Sequence, residues 1–289
     1  HLHSTSTKFG KGRSPAGRGG HARGVKKKIS TLIFLLFSVS FPLLALQLWV
    51  EPYRRGYFEN DQSIRLPYKE QTISEAVLAI AGFVFIIATV RLKMRTHTSR
   101  ESDSYTAIGV YTFGAACQQL TANFAKYVIG RLRPNFYDVC QPVPVAGSPL
   151  NRLGYIQAYT CAGADDAQIK EMRLSFPSAH SSFAMYTAIF FILYVQVKGK
   201  WRGSKLLRHA IQFAVLMAAW YVGLSRVVDH MHHWSDVAAG FLVGAAFSVI
   251  TRSPFGDFSS QLVVGSSNNM ACLLTLQLGD LESYAGNPR

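Results

Sequence analysis

The chain has 289 residues, of which 49% are hydrophobic and 16% charged, with a formal net charge of +14. A soluble domain carries a charged fraction of about 25%, so the composition excludes an ordinary soluble globular protein and points to a membrane. The positive excess stands beside apolar runs and is read as topology rather than as a nucleic-acid footprint.

Residues 1–28 form a basic arm with Lys8, Lys11, Arg13, Arg18, Arg23, Lys26, Lys27 and Lys28 and no acid, expected to be disordered and cytoplasmic. RNA or anionic-lipid binding by this arm is the weaker reading next to a span. The chain begins with His1 rather than Met, so the arm is not taken as complete. Six apolar runs then follow, at 29–50, 72–90, 106–129, 181–197, 209–225 and 236–251, against about 17–25 residues needed to cross a bilayer as helix. The fourth and sixth are short when only their apolar centres are counted, so each is expected to borrow its first turn from the polar stretch before it. The first is longer than a typical signal-peptide core and lacks a small-residue cleavage site, so it is read as a retained span, bent at Pro42.

Threading six spans from an inside amino terminus puts the basic segments 91–103 and 198–209 inside as well, and the mixed-charge loop 51–71 outside. The expected organisation is therefore all-α: a six-span membrane domain over 29–251 and a cytoplasmic tail over 252–289, to which no function is assigned.

Three polar stretches fall on the outer side of that map. In KYVIGRLRP, residues 126–134, Lys126 and Arg133 are seven apart, two turns if the third span continues as helix, with Pro134 as the stop. The bland alternative is two cations snorkelling at a span's end. In FPSAHSS, residues 176–182, Pro177 and the serines read as a helix start whose free N–H groups can hold an anion. A simple capped helix explains those residues too, but gives no reason for His180.

The third stretch is SRVVDHMHHWSD, residues 225–236. His232 and Asp236 are four apart and can meet on one helical face, where a carboxylate on one ring nitrogen would leave the other free as base or nucleophile. Arg226 stands six before His232, so a turn between them is required if both serve one site. A metal cluster or a solvated histidine patch is the alternative for HMHH; the absence of Cys and Glu nearby weakens the metal reading. His230 and His233 are assigned surface or packing positions.

In this order and at these spacings the stretches resemble the signature of the lipid phosphate phosphatases, the membrane branch of the type 2 phosphatidate phosphatase superfamily. It stands here as Lys126 and Arg133-Pro134, then Pro177-Ser178-Ala179-His180, then Ser225-Arg226, His232 and Asp236. The family usually has Gly where this chain has Ala179. The resemblance spans at least residues 30–251 and implies a helical bundle core of that superfamily. It implies that Lys126, Arg133 and Arg226, with Ser178 and the N–H groups near Ala179, hold the substrate phosphate. By the same resemblance His232, oriented by Asp236, is the nucleophile that forms a phosphohistidine, and His180 is the acid and then the base. No metal and no cofactor is expected, since three fixed cations can replace magnesium. The implied substrates are phosphatidate, lysophosphatidate, sphingosine 1-phosphate and ceramide 1-phosphate, reached from the outer leaflet, most naturally of a plasma membrane, with both termini cytoplasmic. The partners are thus lipid phosphates and the bilayer; a homo-oligomer is left open.

Cys140 and Cys161 both fall in the outer loop 131–180, an oxidising location, and are expected to pair; two free thiols are the alternative. No Asn-x-Ser/Thr sequon occurs, so no glycan is expected on that loop. Other classes fit less well. A silent relative that only binds lipid phosphates or partner proteins is motivated by Ala179 alone. A channel or transporter would place its ionisable residues along the spans' interior, and a soluble haloperoxidase with a similar anion site is excluded by the six spans.

Overall fold

The computed structural model describes residues 17–96, 101–145, 154–163, 165–198 and 205–256. Six long helices account for the six apolar runs: α1 (Gly17–Trp49), α2 (Glu75–Thr96), α3 (Glu101–Ile129), α6 (Ala179–Lys198), α7 (Lys205–Val228) and α8 (Trp234–Gly256). Four helices, α1, α2, α7 and α8, are long and apolar enough among the described residues to cross a membrane. α3 and α6 carry buried polar groups along their length, Gln118 on α3 and His180, Ser181, Ser182 and Thr187 on α6, and α7 and α8 bury others, among them Gln212, Arg226, Asp236 and Ser248.

α1 begins at Gly17, well before the apolar run, so the arm expected to be disordered is helical from that point. Lysine, arginine and alanine are good helix formers, and a helix nucleated by an apolar span propagates into them at little cost. Residues 1–16 and the tail from 257 lie outside the described residues.

α6 is the central element. Its Phe183, Tyr186, Phe190 and Phe191 pack with Ile86 and Val90 of α2 and Val110, Tyr111 and Ala115 of α3. Its Ala184 and Ala188 meet Ala219 of α7. Because apolar burial drives little between helices in lipid, close approach and interhelical hydrogen bonds hold such bundles. Both are present: Tyr186 donates to the Tyr111 carbonyl at 2.9 Å, Tyr111 pairs with Thr187 at 2.9 Å, and Ser182 donates to Gln118 at 2.5 Å. α8 approaches α6 through Gly240 and Gly244, where a Cβ would collide with the carbonyl oxygens of Ser178 and Ser182. That Gly-x-x-x-Gly spacing fixes the start of α8 against the start of α6, the two segments with the histidines.

The fold is not purely helical. Between α1 and α2, and between α3 and α6, lie short elements: β1 (Tyr57–Phe58), a 3₁₀ turn (Gln62–Ile64), α4 (Phe136–Cys140), β2 (Pro142–Pro144), β3 (Tyr155–Ile156), β4 (Tyr159–Cys161) and α5 (Asp166–Met172). β1 pairs antiparallel with β3 and β2 with β4. Cys140 and Cys161 form the expected disulfide. Tyr57, Ile64, Leu132, Phe136, Ile156 and Met172 bury a small core of their own around it.

Candidate active site

Lys126 lies in the last turn of α3. The helix does not continue to Arg133, as two turns of shared face would require. Gly130, at φ +57°, ends it, with its N–H bonded to the Lys126 carbonyl at 3.0 Å. A left-handed C-cap is the ordinary role of glycine there, so Gly130 and not Pro134 is the stop. Beyond it the chain is no longer helical, and Arg131 bonds Asp236 and Arg133 contacts Met231 while Leu132 enters the small core around the disulfide. Lys126 and Arg133 are both buried and their charges act on one another. Arg133 is bonded to the exposed Glu171 at 2.8 Å and contacts Met231 Sδ at 3.4 Å, while its buried Nε has no partner.

The helix start at 178–180 is as expected, shifted by two residues. Pro177 follows a cis peptide bond and precedes the helix, which opens at Ala179. Ser178 Oγ accepts from Ser181 N–H at 3.4 Å, and Ser178 N–H is taken by the Asp236 carbonyl at 3.0 Å. A helix's first N–H groups lack intrahelical partners, so those of Ala179 and His180 are the ones left for an anion. Ala179 is helical, buried and free of positive φ. His180 is buried, its Nε2 has no partner, and its Nδ1 lies 3.8 Å from the exposed Glu75 carboxylate.

The required turn exists between α7 and α8. His230, at φ +57°, is its pivot. The His230 N–H bonds Val227 O at 3.1 Å and the Met231 N–H bonds Arg226 O at 3.1 Å, a Schellman closure. His230 also donates through Nδ1 to the Pro67 carbonyl at 2.8 Å, which ties the turn to the segment before α2. Arg226, fully buried, is fixed by Asp229 at 3.0 Å, the Ile73 carbonyl at 2.9 Å and Ser225. Thr72 pins Asp229 in turn through its N–H and its hydroxyl.

His232 is buried at the centre, and here the expected pairing is corrected. Its Nδ1 bonds the Ser175 carbonyl at 2.7 Å, while the nearest Asp236 oxygen is 4.0 Å away. The reason lies in the helix start: Asp236 is in the first turn of α8 and folds back on the N–H of His233 at 3.0 Å and on its ring at 3.2 Å. The carboxylate also takes Arg131 at 2.5 Å and the Ser175 hydroxyl at 2.6 Å. A carbonyl at 2.7 Å requires Nδ1 to carry the proton, so the Nε2 lone pair of His232 is free. Burial first, then the Arg133 and Lys126 charges, hold this imidazole well below the ordinary histidine range, so it is neutral.

Lys126, Arg133, Ser178, His180, Arg226, His232 and Asp236 are thus all buried at one end of the bundle. The charges of Arg226, Lys126 and Arg133 all act on His180, and those of Arg133 and Lys126 on His232. No group of three or more metal-ligating His, Cys, Asp or Glu side chains forms among the described residues. Arg131, Ser175, Asp229 and the 71–73 segment were not legible as site residues. Asp229 could have been found as an acid three residues after Arg226 on one helix face; Ser175 acts through a backbone carbonyl, which leaves no side-chain signal.

The family profile of the PAP2 superfamily matches residues 107–257. Phospholipid phosphatase 2 of Rattus norvegicus is 39% identical over 273 residues, covering 86% of this chain and 98% of the relative. Phospholipid phosphatase 2 of Mus musculus is 40% identical over 244 residues, 78% of this chain and 87% of the relative. The Homo sapiens protein of that name is 39% identical over 238 residues, 78% and 82% respectively. No solved structure gives a significant match to the chain. The matched region takes in α6, α7, α8 and most of α3, the helices that contribute cations or histidines to the buried corner, and the chain belongs to the PAP2 superfamily.

Proposed function

We propose that this chain is an integral-membrane phosphatase that hydrolyses lipid phosphate monoesters, of the class of phosphatidate, lysophosphatidate, sphingosine 1-phosphate and ceramide 1-phosphate, without a metal. The observation that carries this is the burial of three cations, Lys126, Arg133 and Arg226, around two histidines at one set of helix ends. Buried like charges repel, and the arrangement makes sense if a dianion neutralises them. The curated relatives named phospholipid phosphatase 2 support the substrate class.

In this reading the phosphoryl oxygens sit among Lys126, Arg133, Arg226, Ser178 and the N–H groups of Ala179 and His180. The Nε2 lone pair of His232 attacks phosphorus in line with the lipid alkoxide; the P–N bond forms as the P–O bond breaks. His180, which takes up a proton as the bound phosphate dianion offsets the three cations around it, gives that proton from Nε2 to the departing oxygen, and as neutral imidazole then takes one from the water whose oxygen attacks the phosphohistidine as the P–N bond breaks. Inorganic phosphate leaves and His232 returns neutral. Six spans would put this end of the bundle at the headgroups of the extracellular or lumenal leaflet, with both termini cytoplasmic.

The experiment is phosphate release from a panel of these lipids by purified protein in detergent with excess EDTA. Release from at least one lipid, undiminished by EDTA, is expected; release from none, or only with added metal, refutes the proposal.

A further inference from the structure

Asp236 does not touch the ring it is expected to orient, yet the bonds it makes lead to that ring. Its Oδ2 accepts from the hydroxyl of Ser175 at 2.6 Å, and its Oδ1 from Arg131 at 2.5 Å. Ser175 is fully buried, its N–H donates to the Arg131 carbonyl at 3.1 Å, and its own carbonyl receives His232 Nδ1 at 2.7 Å. Arg131 Nη1 reaches Ser235 as well, at 2.8 Å, one residue before Asp236.

We propose that Ser175 and Arg131 are positioning residues for the His232 nucleophile, transmitting the hold of Asp236 to the ring through the Ser175 carbonyl. The inference rests on the phosphohistidine reading above and adds two residues to it. A carbonyl acceptor fixes the tautomer and the plane of an imidazole as a carboxylate would. Its own placement must be fixed by something else, because Ser175 lies in the connection between α5 and α6 and no helix holds it. The clamp supplies that: one serine tied at its N–H, its hydroxyl and its carbonyl to three different partners. When His232 becomes a phosphoimidazolium, the same carbonyl dipole and the carboxylate 4.0 Å away face the new positive charge. Arg131 sets a positive charge against that carboxylate on the side away from Ser175, its Nη1 on Oδ1 while Oδ2 takes the Ser175 hydroxyl.

The test uses the full-length protein in detergent micelles with phosphatidate as substrate and inorganic phosphate as competitive inhibitor. Ser175→Ala should lower kcat at least tenfold while KM and the phosphate inhibition constant stay within about twofold, because the phosphate-holding cations are untouched. In the Asp236→Asn background the same change should cost less than about twofold more, since both substitutions break one chain. Ser175→Ala with more than half of the kcat, a loss carried by KM and the inhibition constant, or a double variant showing the full product of the two losses would overturn the proposal. If Ser175→Ala does not fold, Arg131→Gln reads the chain from its more exposed end: a several-fold kcat loss at unchanged phosphate inhibition supports the proposal, and unchanged kcat overturns it. His232→Ala is run beside them. An active His232→Ala would sink the nucleophile assignment itself, whereas an inactive one beside a fully active Ser175→Ala would sink only the positioning role.

Discussion

The buried corner and the small disulfide-closed cap are built on opposite principles. In the cap, Tyr57 makes ring contacts with Phe136, Tyr137 and Tyr159 at centroid distances of 5.7, 5.4 and 5.2 Å, and the Cys140–Cys161 bridge closes the loop. Its elements are two to seven residues long, and apolar contact plus one covalent link give it shape. The corner has almost no apolar side chain of its own. It is made of the ends of α3, α6, α7 and α8, brought to one place by packing deeper in the bundle, and directed hydrogen bonds hold its charges. The two meet at residues 131–133, where Leu132 belongs to the cap and the flanking arginines to the corner. Shape in the cap should therefore tolerate change that the corner does not.

The comparison is broken hardest at its centre. His232→Ala should lower turnover roughly a thousandfold or more, with expression intact, as read by phosphate release per mole of purified protein; a tenth of the activity remaining would end the phosphohistidine mechanism. Lys126→Met should cost about a hundredfold and leave a second mark. Because Lys126 helps to depress the His232 imidazole, its removal lets that group rise. The neutral nucleophile is then lost at a higher pH, so the acid limb of the kcat/KM profile should move upward; an unmoved or lowered limb would remove Lys126 from the electrostatics of His232.

Gly244→Ala strikes the corner from a distance. The added methyl collides with the Ser182 carbonyl and crowds Tyr186 N, backbone that does not yield as a side-chain tip would. Overpacking of about 1–3 kcal/mol is expected, seen as a lower melting temperature in detergent, together with a several-fold fall in kcat as α8 and α6 separate. Normal kcat in a destabilised protein would mean that the histidines do not depend on that contact.

What was legible in the sequence follows the same division. Helix existence was legible because apolar runs are long, and the cations and histidines were legible because charge between such runs is conspicuous. How they meet was not. Gly130 and His230 turn the chain through left-handed φ, which no periodicity reveals for a histidine. The spacing of His232 and Asp236 suggested a direct pair, but a carboxylate in a helix's first turn competes for backbone N–H groups, and here that competition won. The Gly240 and Gly244 contact was missed, and small-residue spacing alone would not have named the helix it faces.

In the cap the expected effect is on stability rather than on chemistry. Removing the disulfide by Cys140→Ser with Cys161→Ser opens a loop of sequence separation 21, worth about 3 kcal/mol of unfolded-state entropy. Loss of that order in thermal stability with kcat within about threefold is expected when the two proteins are compared at low temperature. A kcat loss as large as that of Lys126→Met would show that the cap sets the position of Arg131 and Arg133, and the division drawn above would fail.

The smallest effect is expected at Ala179, where this chain departs from its family. Glycine would be needed there if the backbone took a positive φ or if a ligand had to approach the Cα. Ala179 instead opens α6 with helical geometry, and Ser178 caps the turn, so the methyl group imposes no strain. Its N–H is present whichever residue stands there, so the proposed phosphate donor is kept. Ala179→Gly removes a buried methyl and adds backbone freedom at a helix start, a change of about 0.5–1 kcal/mol in stability, and should alter kcat by only a few-fold. The motive for regarding the chain as a silent relative disappears with that strain. A tenfold or larger gain in turnover for Ala179→Gly, at unchanged expression, would instead mean that the phosphate donors at the start of α6 are displaced in the natural protein.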